Sequence, residues 1–201
     1  FHEGKYYGGH PANVFDGHHD YRNVIDIGSD DWSQMTDWQR DVIVHEVGHI
    51  VEGSSLGVHK SPAFSLWQDS KWCEIFGYDL YVRLGQTADA DRVYNNDIST
   101  SDDFPRAGTY WFRDWFYPIW RDHGQTAPLA KFFQLLATNF HQHNGEYARD
   151  LNWGEFVHFW SGAAGVNLKP LATTAFGWPS DWERQFVQAR HDFPGVSYAQ
   201  S

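Results

Sequence analysis

The 201-residue chain has a single cysteine, Cys73, and a single methionine, Met35. One thiol cannot form an intramolecular disulfide, so a hydrophobic core must hold the fold together. A lone thiol of this kind is expected to be a small core residue rather than a nucleophile. Basic residues are scarce. The 15 Lys and Arg stand against 26 Asp and Glu, a formal net charge of −11. This balance argues against nucleic acid or an anionic membrane as partner, because both demand positive patches. No stretch reaches the roughly 18 to 20 apolar residues that span a bilayer. Internal repeats and low-complexity segments are absent. The chain begins at Phe1 rather than Met, as expected of a processed or trimmed product.

Aromatic residues are abundant, with 11 Trp, 10 Tyr and 15 Phe. Most of these rings are expected in the core. The length suits one domain over residues 1–201. Within it we expect an α+β fold, with a small strand-containing N-terminal lobe over about 1–60 and a mainly helical lobe over about 61–201. The acidic, aromatic, Lys-poor composition fits a secreted, extracellular protein, and a monomer is expected.

Residues 1–22, rich in Gly, His and Tyr, predict loop and short strand, and Asn23 to Gly28 a strand. Thr36-Asp37-Trp38-Gln39 is a capping-box start for a helix running to about Glu52 and stopping at Gly53. Ser61-Pro62 can start a second helix, continuous to Leu84 or broken near Asp69-Ser70. Residues 85–108 predict a long polar surface segment without regular structure. Helices are expected over Thr109–Asp122 (with a kink at Pro118), Pro128–Phe140, Asn152–Ser161, Leu168–Phe176 and Asp181–Ala189.

The first of these helices carries His45-Glu46-Val47-Gly48-His49. Two imidazoles four residues apart share a helix face and can reach one ion, which is the His-Glu-x-x-His pattern of zinc hydrolases. Glu46 points about a quarter turn away, where it can act as general base on a metal-activated water. A third protein ligand is needed. The best candidate is Glu74, a carboxylate in the apolar and aromatic run from Lys71 to Tyr81, where burial without a partner would be costly. Asp69, Asp79 and His59 compete with it. Asp69 lies near a helix start, where capping is the ordinary explanation. Asp79 could accept a hydrogen bond from a ligand histidine. His59 follows His49 by ten residues, which is not the usual six-residue step to a third ligand.

With Trp72-Cys73-Glu74-Ile75-Phe76-Gly77-Tyr78-Asp79 as a glutamate helix, the chain resembles the gluzincin metallopeptidases. Gly108-Thr109-Tyr110 with the aromatic helix to Gly124 is similar to their post-site helix. The segments Phe159 to Leu168 and Phe176 to Pro179 are similar to their C-terminal helical lobe. The resemblance implies a zincin-like fold and zinc on His45, His49 and Glu74. It also implies a peptide or protein substrate, with Tyr110 as the residue stabilising the oxyanion. His123, His141, His143 and His158 are alternatives to Tyr110. The chain departs from the pattern in two places. The acid after Glu74 is Asp79, with Tyr78 in the usual position, and the aminopeptidase strand with Met and Glu is missing. The second departure favours an endopeptidase.

Two other readings stay open: a zinc hydrolase acting on a glycan or amide, and a silent binding module on a peptidase scaffold. Intact Glu46 argues against the latter. His18, His19 and Asp20, and the pairs Asp30-Asp31 and Asp102-Asp103, are expected to be solvated turns rather than further metal sites.

Overall fold

A computed structural model describes residues 2–3 and 8–200. Part of the N-terminal loop expectation falls on residues 1 and 4–7, outside the described residues. The fold is α+β, and helices dominate it. Three short strands, β1 (His2–Glu3), β2 (Gly9–Ala12) and β3 (Val24–Ile27), form a mixed sheet in the order β1-β3-β2. β1 runs parallel to β3. β2 runs antiparallel to it, pairing Gly9 with Ile27 and Ala12 with Val24.

Helix α1 (Asp37–Ser54) follows. Its capping box forms as the sequence predicts. The Gln39 N–H donates to Thr36 Oγ1 at 3.2 Å, and the Thr36 N–H donates to Gln39 Oε1 at 2.9 Å. The helix does not stop at Gly53. It runs one residue further, where the Ser54 hydroxyl donates to the Ile50 carbonyl at 2.5 Å. The chain then turns through positive φ at Leu56 and Gly57.

The stretch after Pro62 is broken into α2 (Phe64–Trp67) and α3 (Lys71–Arg83). The break is at Gln68, whose φ of 55° is costly for a residue other than glycine. Residues 85–108 are not structureless. They contain α4 (Thr87–Asp97), whose inner side combines ion pairs with packing of Tyr94 against Tyr78, Phe112 and Tyr117. Arg92 pairs with Asp41 at 2.6 Å, and both Arg92 and Arg40 lie 2.9 Å from Asp89. The aromatic segment begins as a π-helical turn over Phe112–Phe116 and continues as α5 (Tyr117–Asp122). α6 (Thr126–Asn139), a hairpin of β4 (Gln142–His143) and β5 (Glu146–Tyr147), α7 (Trp153–Ala164), α8 (Lys169–Phe176) and α9 (Ser180–Asp192) complete the described chain. Among the described residues, no helix is long and apolar enough to cross a membrane.

The core is largely aromatic, as composition suggests. Trp67, Trp72, Trp111, Trp115, Trp160, Phe112, Phe116, Phe132, Phe156 and Phe159 are among its fully buried side chains. Burying such rings contributes most of the favourable free energy of the helical part. α1 lies between the sheet and α3. Gly48 makes the α1–α3 approach possible. A Cβ there would stand 2.9 Å from Cys73 Sγ and 3.2 Å from the Phe76 ring. Trp72 Nε1 closes the crossing by donating to the Gly48 carbonyl at 3.0 Å.

Candidate metal centre

His45 and His49 meet as their spacing predicts. Their Nε2 atoms lie 3.0 Å apart on the face of α1 that borders a cleft of about 660 Å³. A tetrahedral ion with bonds of about 2.0–2.1 Å would hold two imidazole nitrogens roughly 3.3 Å apart, so little movement is needed to admit one.

Asp69, not Glu74, faces this pair. Its Oδ1 lies 3.2 Å from His49 Nε2, and its Oδ2 lies 3.9 Å from His45 Nε2. The left-handed turn at Gln68 lifts Asp69 out of the helical path between α2 and α3 and aims it into the cleft. It does not cap α3. That N-cap is Ser70, which makes no side-chain capping bond.

Glu74 is occupied elsewhere. The buried amine of Lys71, one turn earlier, pairs with it at 2.7 Å and with Asp102 at 2.9 Å. Burial pushes the Glu74 carboxyl up to about 7, against the pull of Lys71. It lines a second cavity of about 320 Å³ behind α1, together with Cys73, His45 and Asp97. Asp79 is not an outer partner of either histidine. It accepts from Trp120 Nε1 and Thr126 Oγ1, both at 2.8 Å. His59 stacks on Phe15 and lies 3.6 Å from Glu146.

The outer partner is Glu52, at the predicted end of the helix, and it serves His49. His49 Nδ1 donates to Glu52 Oε1 at 2.6 Å, and Trp67 Nε1 donates to Glu52 Oε2 at 2.8 Å. A carboxylate behind a ligand histidine fixes its tautomer, leaves Nε2 free for an ion and raises its basicity. The signal was present in the sequence, since Glu52 follows His49 by three residues on the same helix face.

Glu46 is buried and lines the same cleft, beneath β2. Gly9 leaves room for it: a Cβ on Gly9 would stand 2.7 Å from Glu46 Oε1. Burial holds the Glu46 carboxyl above the usual carboxylate range. Burial and the neighbouring His49 depress His45. Burial also works against protonation of His49, but the Glu52 hydrogen bond and the surrounding carboxylates outweigh it. His49 therefore stands above the ordinary histidine value.

Tyr110 is not brought to the cleft. Arg113 lies over its ring, 3.6 Å from the centroid. None of His123, His141, His143 and His158 lines the cleft either. His158 is buried between Tyr198 and the Phe193 carbonyl. The cleft is lined instead by Gly9, His10 and Pro11 of β2, and by Lys60, Ser61, Phe64, Ser65 and Asp150. His19 sits between Asp16 and Asp26, 3.1 Å from each, and Asp20 pairs with Arg22.

The donor set suits zinc. It consists of two imidazole nitrogens and a carboxylate oxygen already converged, with an outer carboxylate behind one ring. No family model matches the chain, and no curated protein or solved structure matches it either.

Proposed function

We propose that this chain is a zinc-dependent peptidase of the zincin-like, gluzincin-related kind, with Asp69 in the role that the resemblance gives to Glu74. The observation that carries the reading is the convergence of His45 Nε2, His49 Nε2 and the Asp69 carboxylate in one open cleft that also contains Glu46. Zinc bound there would supply a Lewis acid and a lowered water pKa.

The residues of the chain account for the rest of the mechanism. Glu46, buried and held basic, takes a proton from the attacking water and later delivers it to the leaving amine, so the carboxylate is regenerated. Glu52 holds the His49 ring in one tautomer. β2 is an edge strand among the described residues, paired only with β3. Its residues Gly9 to Pro11 border the cleft, and an extended peptide can add along such an edge through main-chain hydrogen bonds. A cleft open along that strand suits an internal segment of a peptide or protein, which favours an endopeptidase.

The test is a mixed peptide library incubated with the zinc-loaded chain, with and without a chelator, and read by mass spectrometry. Internal cuts abolished by chelation are expected. A zinc-loaded sample that leaves every peptide intact would overturn the peptidase reading.

A further inference from the structure

Cys73 is buried on the first turn of α3, with its sulfur over the bare Cα of Gly48. Its Sγ and one ring nitrogen each from His45 and His49 all lie within 4.8 Å of one another. A buried free cysteine is ordinarily a small apolar filler. Two imidazole donors within reach set this one apart, because mixed imidazole and thiolate sets are zinc chemistry. Gly48 is what admits the sulfur, since any larger residue between the two histidines would drive α3 and its thiol away.

We infer that Cys73 is a protein ligand of the ion held by His45 and His49, bound from the interior while Asp69 approaches from the cleft. The inference rests on the proposed metal site. The two donors reach the ion from different sides. Cys73 lines the cavity behind α1, Asp69 lines the open cleft, and His45 forms part of both linings. The thiol and both imidazoles are carried on helices, whereas Asp69 stands on the turn between α2 and α3 with its side chain 79% exposed. If Asp69 released the ion, the position vacated would face the cleft that Glu46 lines, where water and substrate have access. Ligation converts the thiol to thiolate and releases its proton to solvent, so ion entry and proton release are coupled at this residue.

The test loads the full chain with cobalt(II) in place of zinc and records its absorption. Visible d–d bands report binding, and a near-ultraviolet charge-transfer band reports a thiolate on the metal. The unaltered chain should show both. Cys73→Ala should keep the visible bands, lose the charge-transfer band and bind cobalt at least about tenfold more weakly, since even an outer partner is worth about 10–100-fold. Visible bands without the charge-transfer band in the unaltered chain would overturn Cys73 as a ligand and leave the histidine site standing. A chain that binds no cobalt would overturn both. The decisive spectrum is that of the unaltered protein, so it does not depend on how the variant folds.

Discussion

His49 Nδ1 and Glu52 Oε1 lie 2.6 Å apart, one helical turn from each other on α1, and the second Glu52 oxygen is held by the buried Trp67 indole. His49 is thus anchored through the carboxylate to the aromatic core. Glu52→Gln keeps an acceptor for Trp67 but loses the charge behind the ring. Zinc affinity should fall by about 10–100-fold, measured by competition with a chromophoric chelator. An unchanged affinity would mean that Glu52 does not tune the site.

Asp69 and Glu74 make opposite predictions. Asp69→Asn should weaken zinc binding by about tenfold or more, because a cleft-side donor is lost. Glu74→Gln should leave zinc affinity unchanged. It should instead destabilise the fold by about 1–3 kcal/mol, because the buried Lys71 amine keeps only Asp102 as a carboxylate partner. Metal content and denaturant unfolding of the two variants separate the effects. Loss of zinc in Glu74→Gln would restore the glutamate assignment.

Gly48→Ala tests the approach of α1 to α3. The added methyl would meet Cys73 Sγ at 2.9 Å and the Phe76 ring at 3.2 Å. Overpacking of this kind costs about 1–3 kcal/mol, and Gly48→Ala should lower the melting temperature. A variant as stable as the parent would mean that the two helices separate without penalty.

His158 predicts a pH dependence of stability. Burial depresses its pKa below the ordinary value, reinforced by the charge of Arg190. The Phe193 carbonyl and Glu155 oppose the shift, and Tyr198 bonds the other ring nitrogen. The unfolded chain therefore takes up the proton first. The contribution of His158 is fully present above about pH 6.5 and is lost as pH falls through the lower folded value. The stability advantage of the parent over His158→Gln should shrink as pH is lowered from about 8 to about 5, followed by thermal melting. An advantage that grows toward acid would reverse the sign and contradict a neutral buried His158.

Much of this was legible in the sequence because it is local. The capping box that starts α1 and the face shared by His45 and His49 follow from spacing alone. The placement of Asp69 is not local. Asp69 reaches the histidines through one left-handed residue, Gln68, whose side chain gives no hint of that backbone. Glu74 is a partly buried carboxylate whose partner is Lys71, three residues before it. Tyr110 was likewise taken up by a near neighbour, Arg113. α4 is hard to read in the sequence because few of its residues are apolar: Ala90 and Tyr94 pack inward, and arginine–aspartate pairs add to them.

Glu46→Gln tests the proposed hydrolysis most directly, through a paired measurement: zinc per chain, and kcat/KM on a peptide that the unaltered chain cleaves. The substitution removes the proton acceptor and leaves His45, His49, Asp69 and Glu52 in place. Zinc content should equal that of the parent, with kcat/KM lower by about 10²–10⁴-fold. A zinc-loaded Glu46→Gln chain that still cleaves at the parent rate would contradict the role of Glu46 as proton acceptor.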